Sequence, residues 1–137
     1  MACSRVEWHA SPDLFSNGYY LRPFEAGDGV LVARWCSSLD DLRWVAPCTP
    51  PPLTAEKVRD WHHNSVSPFL FYNPNHEPVG YGELVPSITR MGEVWIAHLV
   101  VDPNRRNEGI GRLFVLSLLD KVFHDYRAES AFLSVFE

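Results

Sequence analysis

An α/β domain built on a central mixed β-sheet flanked by helices is the fold class that this sequence predicts. Stretches rich in β-branched and aromatic residues alternate with stretches of helical apolar spacing, in the order β-α-α-β-β-β-α-β. The chain has 137 residues, 46% of them hydrophobic and 13% aromatic, which suffices for the core of one domain. Its first 18 residues show no periodicity, so we expect an N-terminal lead-in over 1–18 and a domain over 19–137.

The first half of the domain predicts one strand and two helices. Tyr19–Pro23 has the composition of a strand that ends at proline, and Glu25–Ser38 has the apolar spacing of a helix. Asp40–Asp41 then begins a turn. The prolines of Pro47–Pro52 exclude a helix there, because proline lacks an N–H and restricts the residue before it. A second helix, capped by a threonine, is expected over about 55–64.

The second half predicts four strands and one long helix. The helix has apolar residues recurring at intervals of three and four, as expected for a helix that lies on a sheet. The predicted strands are Phe69–Tyr72, Val79–Leu84, Glu93–Val101 and Ala131–Val135, and the predicted helix is Gly109–His124.

The connection from the strand at 93–101 to this helix has the features of an anion-binding loop. Gly109 and Gly111 allow a tight turn and a close approach to a ligand, and the first helical turn leaves main-chain N–H groups without intrahelical partners. The helix dipole adds about half a positive charge, and Arg105, Arg106 and Arg112 add full charges. Neither the P-loop pattern nor the dinucleotide fingerprint fits this segment.

The same loop resembles the acetyl-CoA loop of the GNAT acetyltransferase superfamily. That family's pattern is Arg/Gln-x-x-Gly-x-Gly/Ala after a strand ending in Val-x-Pro, and this chain has Arg106-Asn-Glu-Gly-Ile-Gly111 after Val101-Asp-Pro103. The resemblance extends to Val94–Val101 and the helix at 110–124, and more loosely to Leu21–Phe24 and Pro78–Leu84.

The resemblance implies an N-acetyltransferase that uses acetyl-CoA as acyl-donor cosubstrate. An amine of a small molecule or peptide would attack the thioester directly, while pantetheine lay between two splayed parallel strands, 94–101 and 131–135. A main-chain N–H near Val100 or Val101 would stabilise the oxyanion. The expected cofactor-binding residues are Leu99, Val100, Val101, Arg106, Asn107, Glu108, Gly109, Ile110, Gly111 and Arg112.

Three residues are candidates for the catalytic base. Glu83 and Glu93 lie on strands beside the expected cleft, where burial raises the pKa of a carboxylate. Histidine side chains in general titrate near neutrality, so His98 is a candidate base or proton relay. The structural alternatives are solvent-facing glutamates and a hydrogen-bonded core histidine.

The chain departs from the GNAT pattern at its C-terminal end. A complete domain of that family continues with a helix and two strands, often with a tyrosine as general acid, so the resemblance implies a C-terminally incomplete domain. Ala131–Val135 would then present an exposed apolar edge, which a homodimer or a partner chain would cover. The alternatives to an enzyme are an inactive acyl-CoA-binding module and a subunit completed by a partner.

Composition limits the remaining functional classes. The net charge of −5 disfavours nucleic-acid binding. No run approaches the roughly 20 apolar residues of a membrane span, and the N-terminus lacks a secretory signal, so we expect a cytoplasmic protein without a membrane partner. The three cysteines are expected to be reduced thiols. Adjacent residues His62 and His63 point in different directions on a helix, so no metal is predicted.

Overall fold

A six-stranded β-sheet with helices on both faces forms the part of the chain that the computed structural model describes, residues 2–6, 17–63 and 65–135, with the main chain alone at 2–6 and 134–135. The strands are β1 (Ala2–Val6), β2 (Tyr20–Pro23), β3 (Ser67–Tyr72), β4 (Pro78–Pro86), β5 (Glu93–Val101) and β6 (Ser130–Val135). The helices are α1 (Gly29–Trp35), α2 (Leu39–Val45), α3 (Ala55–Asp60) and α4 (Ile110–His124), with short 3-10 turns at Ala26–Asp28 and Pro103–Arg105.

The sheet is mixed, as the sequence predicts. Its strand order is β1-β6-β5-β4-β3-β2. Strands β5 and β6 are parallel, because α4 crosses over between them, and the other neighbours are antiparallel. The α/β fold class is therefore confirmed.

Each face of the sheet has its own apolar core. Helix α4 covers one face, where Phe114 and Leu118 pack with Phe71 and Ile96. The other face is covered by α1, α2 and α3, whose apolar residues pack on three sheet residues. Those three sheet residues are Leu70, Tyr81 and Val100.

Glycines of β4 let α4 approach the sheet closely. A Cβ added to Gly80 would lie 2.7 Å from the Phe114 ring, and one added to Gly82 would lie 3.0 Å from Leu99. These positions alternate along the strand with Tyr81 and Glu83, so the larger side chains of this stretch point to the opposite face, toward α1–α3.

The helices on that face differ from the sequence prediction in number and length. The predicted helix at 25–38 is a 3-10 turn followed by the short α1, and α2 lies where only a turn was expected. The side chain of Ser38 begins α2 by accepting a hydrogen bond from the Asp41 amide at 3.0 Å. Helix α3 ends at Asp60 rather than near Asn64, which lies outside the described residues.

The edge of β6 is covered by the same chain. The sequence predicts an exposed edge over 131–135, and this prediction is wrong because β1 pairs antiparallel with β6, from Ala2 opposite Val135 to Val6 opposite Ala131. The hydrogen-bonding groups that a partner chain was expected to cover therefore bind residues 2–6. Strand β1 was not predicted, because residues 2–6 lack the alternation of a half-buried strand.

Two further expectations concern cysteines and membranes. Cys36 is a buried free thiol, and burial raises its pKa to about 12; Cys48 is exposed and also free, whereas the Cys3 side chain lies outside the described residues. Among the helices that the structure describes, none is long and apolar enough to cross a membrane.

Candidate active site

The connection between β5 and α4 has the geometry of an open main-chain cradle. Asn107 and Gly109 have positive φ angles of 68° and 77°, and Gly109 caps the 15-residue helix α4. A Cβ added to Gly109 would meet nothing within 4 Å among the described residues, so the loop is open on that side of Gly109. Arg112 lies exposed in the first turn of α4. These features fit a phosphate group at the start of the helix.

Two of the three arginines near this loop are paired with carboxylates. Arg105 donates to Glu77 at 2.9 Å, and Arg106 donates to Asp41 of α2 at 2.8 Å. The Asn73 side chain and Arg105 hold the pKa of Glu77 below its ordinary value. The sequence predicts three positive charges for the ligand, but the structure shows that the first two arginines also attach the loop to the β3–β4 turn and to α2.

Strands β5 and β6 pair over only part of their length. Their parallel register runs from Glu93 opposite Ser130 to Ile96 opposite Leu133. From Ala97 to Val101 the described residues of β5 pair only with β4. The side of β5 that leads into the cradle, including Leu99–Val101, is therefore not paired with β6.

An irregularity in β5 brings His98 to the face covered by α1–α3. Glu83 lies opposite Ala97 and Tyr81 lies opposite Val100, so β5 has one more residue than β4 over this interval. His98 has a φ of 47°, a conformation that residues other than glycine seldom adopt. The extra residue places His98 on the same face as Glu83, against the simple alternation of a strand.

A chain of hydrogen bonds joins four side chains at this irregularity. His98 Nδ1 lies 2.8 Å from Glu83 Oε1, the Tyr81 hydroxyl donates to Glu83 Oε2 at 2.5 Å, and His62 Nε2 lies 2.8 Å from the Tyr81 oxygen. Glu83 is buried, with a side chain 1% exposed, whereas that of His98 is 27% exposed. The carboxylate thus has a protein partner at each oxygen, and His98 connects it to the surface of the site.

The His98 ring is also held by stacking. Trp61 stacks on it with ring centroids 4.0 Å apart and planes 17° apart. The Trp61 indole N–H donates to Thr49 Oγ1 at 3.0 Å, and Phe24 contacts His62 edge to face with centroids 4.7 Å apart. Two other tryptophans of the α1 and α2 region differ in exposure: Trp35 is buried and Trp44 is 58% exposed.

The three candidate bases are not brought together. Glu83 and His98 form the hydrogen-bonded pair, whereas Glu93 lies at the first residue of β5, opposite Ser130 of β6. Glu93 is therefore at the end of β5 that lies farther from the cradle. Tyr81 and His62 join the Glu83–His98 pair by hydrogen bonds and were not among the site residues predicted from the sequence.

Comparison with known proteins shows the family of this chain. The family described as "Acetyltransferase (GNAT) family" matches residues 36–137. The chain belongs to this family. Because residues 36–137 include α2–α4, β3–β6 and the cradle, the match covers the whole of the described site except Phe24.

Solved GNAT structures have the same fold. Spermidine N-acetyltransferase from Vibrio cholerae, in complex with CoA and spermine, aligns with a TM-score of 0.72 at 16% identity, over 86% of this chain and 71% of that chain. Aminoglycoside acetyltransferase AAC(6')-Ib, in complex with coenzyme A, aligns with a TM-score of 0.66 at 18% identity, over 82% and 72%. The acyl donor of the GNAT family is acetyl-CoA.

Proposed function

We propose that this GNAT protein transfers an acetyl group from acetyl-CoA to a primary amine of a small molecule or peptide, by direct attack of the amine on the thioester. The observation that carries the proposal is the hydrogen bond between Glu83 and His98 at the irregularity of β5. It places a partly exposed imidazole on the strand that leads into the cradle, two residues before Val100. Proton transfer and donor binding are then served by one strand.

On the donor side, the main-chain amides of the cradle hold the pyrophosphate, and Arg112 supplies a positive charge beside it. The unpaired side of β5 over Leu99–Val101 meets the pantetheine arm, and a main-chain N–H of Val100 or Val101 stabilises the oxyanion. The loop residues assigned to the donor are Arg106, Asn107, Glu108, Gly109, Ile110 and Gly111.

On the acceptor side, His98 removes the proton that the amine loses as its bond to the acetyl carbon forms. The burial of Glu83 prevents direct contact with an acceptor, so His98 Nε2 is the accessible base and Glu83 orients the ring. The carbon–sulfur bond breaks, and the released thiolate of CoA takes up a proton. Glu93 has no role in this scheme, because it lies at the opposite end of β5.

The first acceptors to test are cationic small molecules. Two of the similar structures are acetyltransferases named for spermidine and for aminoglycosides. The net charge of −5 also favours the approach of a cation, although it does not choose among amines.

Replacement of His98 by glutamine tests the assignment of the base. We expect kcat to fall by about 10²- to 10⁴-fold, the usual contribution of a general base, while the affinity for CoA is unchanged. Thiol release from acetyl-CoA is measured with spermidine, an aminoglycoside and a peptide amine, and CoA affinity is measured by isothermal titration. His124→Gln is the matched control, because His124 is exposed on α4 and bonded to Asp120.

The outcomes separate the proposal from its alternative. Binding of acetyl-CoA with turnover that depends on His98 supports the transferase. Binding without turnover of any acceptor indicates an inactive acyl-CoA-binding module instead. Turnover that His98→Gln leaves intact would show that the base is another group.

A further inference from the structure

Glu83 has a hydrogen-bond partner at each carboxylate oxygen, His98 at Oε1 and Tyr81 at Oε2. Its Oε2 accepts the Tyr81 hydroxyl at 2.5 Å, and both side chains are buried, with Tyr81 0% and Glu83 1% exposed. Burial and the neighbouring Glu83 carboxylate raise the pKa of Tyr81 far above its ordinary value. The phenol therefore stays protonated and donates its one hydrogen to Glu83.

This donation fixes the proton on His62. Because the hydroxyl hydrogen goes to Glu83, the Tyr81 oxygen is left as an acceptor, and His62 Nε2, 2.8 Å away, must carry the hydrogen of that bond. Burial lowers the pKa of His62, which favours a neutral ring. The hydrogen bonds then all point toward the carboxylate, from His62 through Tyr81 on one side and from His98 on the other.

We propose that Tyr81 and His62 are positioning residues of the acetyl-transfer reaction, which hold the second oxygen of Glu83 so that His98 carries its hydrogen on Nδ1 and presents Nε2 as the base. The proposal rests on the function proposed above, in which His98 accepts the proton. Neither residue contacts the acceptor in this scheme; both act through Glu83.

The physical effect of Tyr81 is on the basicity of the carboxylate. A donor at Oε2 stabilises the negative charge of Glu83, so the carboxylate pulls less strongly on the His98 hydrogen. Without that donor, Glu83 interacts more strongly with a protonated His98. Among the described residues, Glu83 and His62 interact with the imidazole directly, and Tyr81 acts on it through its hydrogen bond to Glu83.

Nitrogen-15 NMR of the imidazole rings in the full chain tests the proposal without an acceptor. In wild-type protein near pH 8, we expect His98 to carry its hydrogen on Nδ1 and His62 on Nε2. In Tyr81→Phe, which removes one oxygen atom, we expect the His98 titration midpoint to move to higher pH. The His98 and His62 signals are assigned by replacing each residue.

Two variants of His62 separate positioning from packing. His62→Gln keeps an N–H donor near the Tyr81 oxygen and should retain the wild-type midpoint of His98. His62→Leu removes the donor and should move the midpoint in the same direction as Tyr81→Phe, by less. Thermal unfolding of each variant shows whether the fold is retained, and a merely structural role would change the melting temperature without moving the midpoint.

The pH dependence of kcat should shift in the same direction as the His98 titration midpoint. A base is active only when deprotonated, so the acidic limb of the kcat profile should move to higher pH in Tyr81→Phe, with the KM for acetyl-CoA unchanged. An unmoved His98 midpoint in Tyr81→Phe, or a His62 ring with its hydrogen on Nδ1, would overturn the inference. If His98→Gln retains turnover, the proposed base itself fails; if it loses turnover while Tyr81→Phe matches wild type, only this inference fails.

Discussion

The donor cradle and the Glu83 hydrogen-bond chain are built in opposite ways. The cradle is one continuous segment, Asp102–Gly111, exposed at most of its residues and shaped by local features such as the left-handed Gly109. The hydrogen-bond chain draws two side chains from β4, one from β5 and one from the segment after α3, and its centre is buried. A local site depends on the backbone of a few residues, whereas the buried one depends on sheet register.

The largest effect is expected at the cradle. Gly109→Leu places a side chain in the left-handed region, at about 1–2 kcal/mol of strain, and directs it into the space that the phosphate needs. We expect CoA affinity to fall by about 100-fold or more, equivalent to about 2.7 kcal/mol. Isothermal titration measures it.

Gly27 is the matched control for this glycine. A Cβ at Gly27 also meets nothing within 4 Å, but no positive φ is required there. Gly27→Leu should bind CoA as wild type does. If both variants bound CoA with equal affinity, the phosphate would not bind in the cradle.

The second effect is expected at the centre of the hydrogen-bond chain. Glu83→Leu leaves the Tyr81 hydroxyl and the His98 N–H without their acceptor, so we expect a loss of about 2–4 kcal/mol of unfolding free energy. Glu83→Gln keeps an amide oxygen and should lose less. Urea unfolding of both variants measures the difference.

Glu93 provides the comparison on the neighbouring strand. It is half-buried at the first residue of β5, so Glu93→Leu should change the unfolding free energy by less than about 1 kcal/mol. If Glu83→Leu and Glu93→Leu lowered the unfolding free energy by similar amounts, the stabilising role assigned to the hydrogen bonds of Glu83 would be wrong.

The smallest effect concerns the contact between the cradle and α2. Asp41 pairs with Arg106 at 2.8 Å. In the proposed function the donor's phosphate binds beside Arg106, so Asp41 would compete with it for the same guanidinium. Asp41→Asn should therefore tighten CoA binding about two- to fivefold, the range of a partly exposed ion pair. The gain should shrink in high salt, because salt screens exposed charges.

Asp40→Asn removes the same charge from the adjacent, exposed residue and is the control. It should change CoA affinity less than Asp41→Asn does. Weaker binding in Asp41→Asn would instead mean that the carboxylate orients Arg106 toward the phosphate.

Much of the fold was predictable because it follows local patterns. The bounds predicted for β5 are those observed, and the prediction for α4 differs by one residue at its start. The errors lie where local signals were weak. Helix α2 has only seven residues, and β1 forms by pairing with β6, which lies at the other end of the chain. The serine and two aspartates at the start of α2 are a local capping signal from which this helix was predictable.

The candidate site divides in the same way. Glu83 and His98 were each identified from the sequence, but nothing in the sequence showed that they would meet. If β5 alternated regularly, the side chains of Glu83 and His98 would lie on opposite faces of the sheet. The extra residue in β5 places them on the same face. Tyr81 and His62 carried no sequence signal beyond ordinary core composition.

The sequence by itself determined the mixed α/β fold, the family resemblance and the cradle, because glycine spacing, apolar periodicity and a helix start act over a few residues. Only the tertiary structure decided the pairing of Glu83 with His98, the attachment of Arg106 to α2 and the covering of β6 by β1. Each of these joins residues far apart in the chain. Their contact depends on strand register and helix packing, which no local pattern specifies.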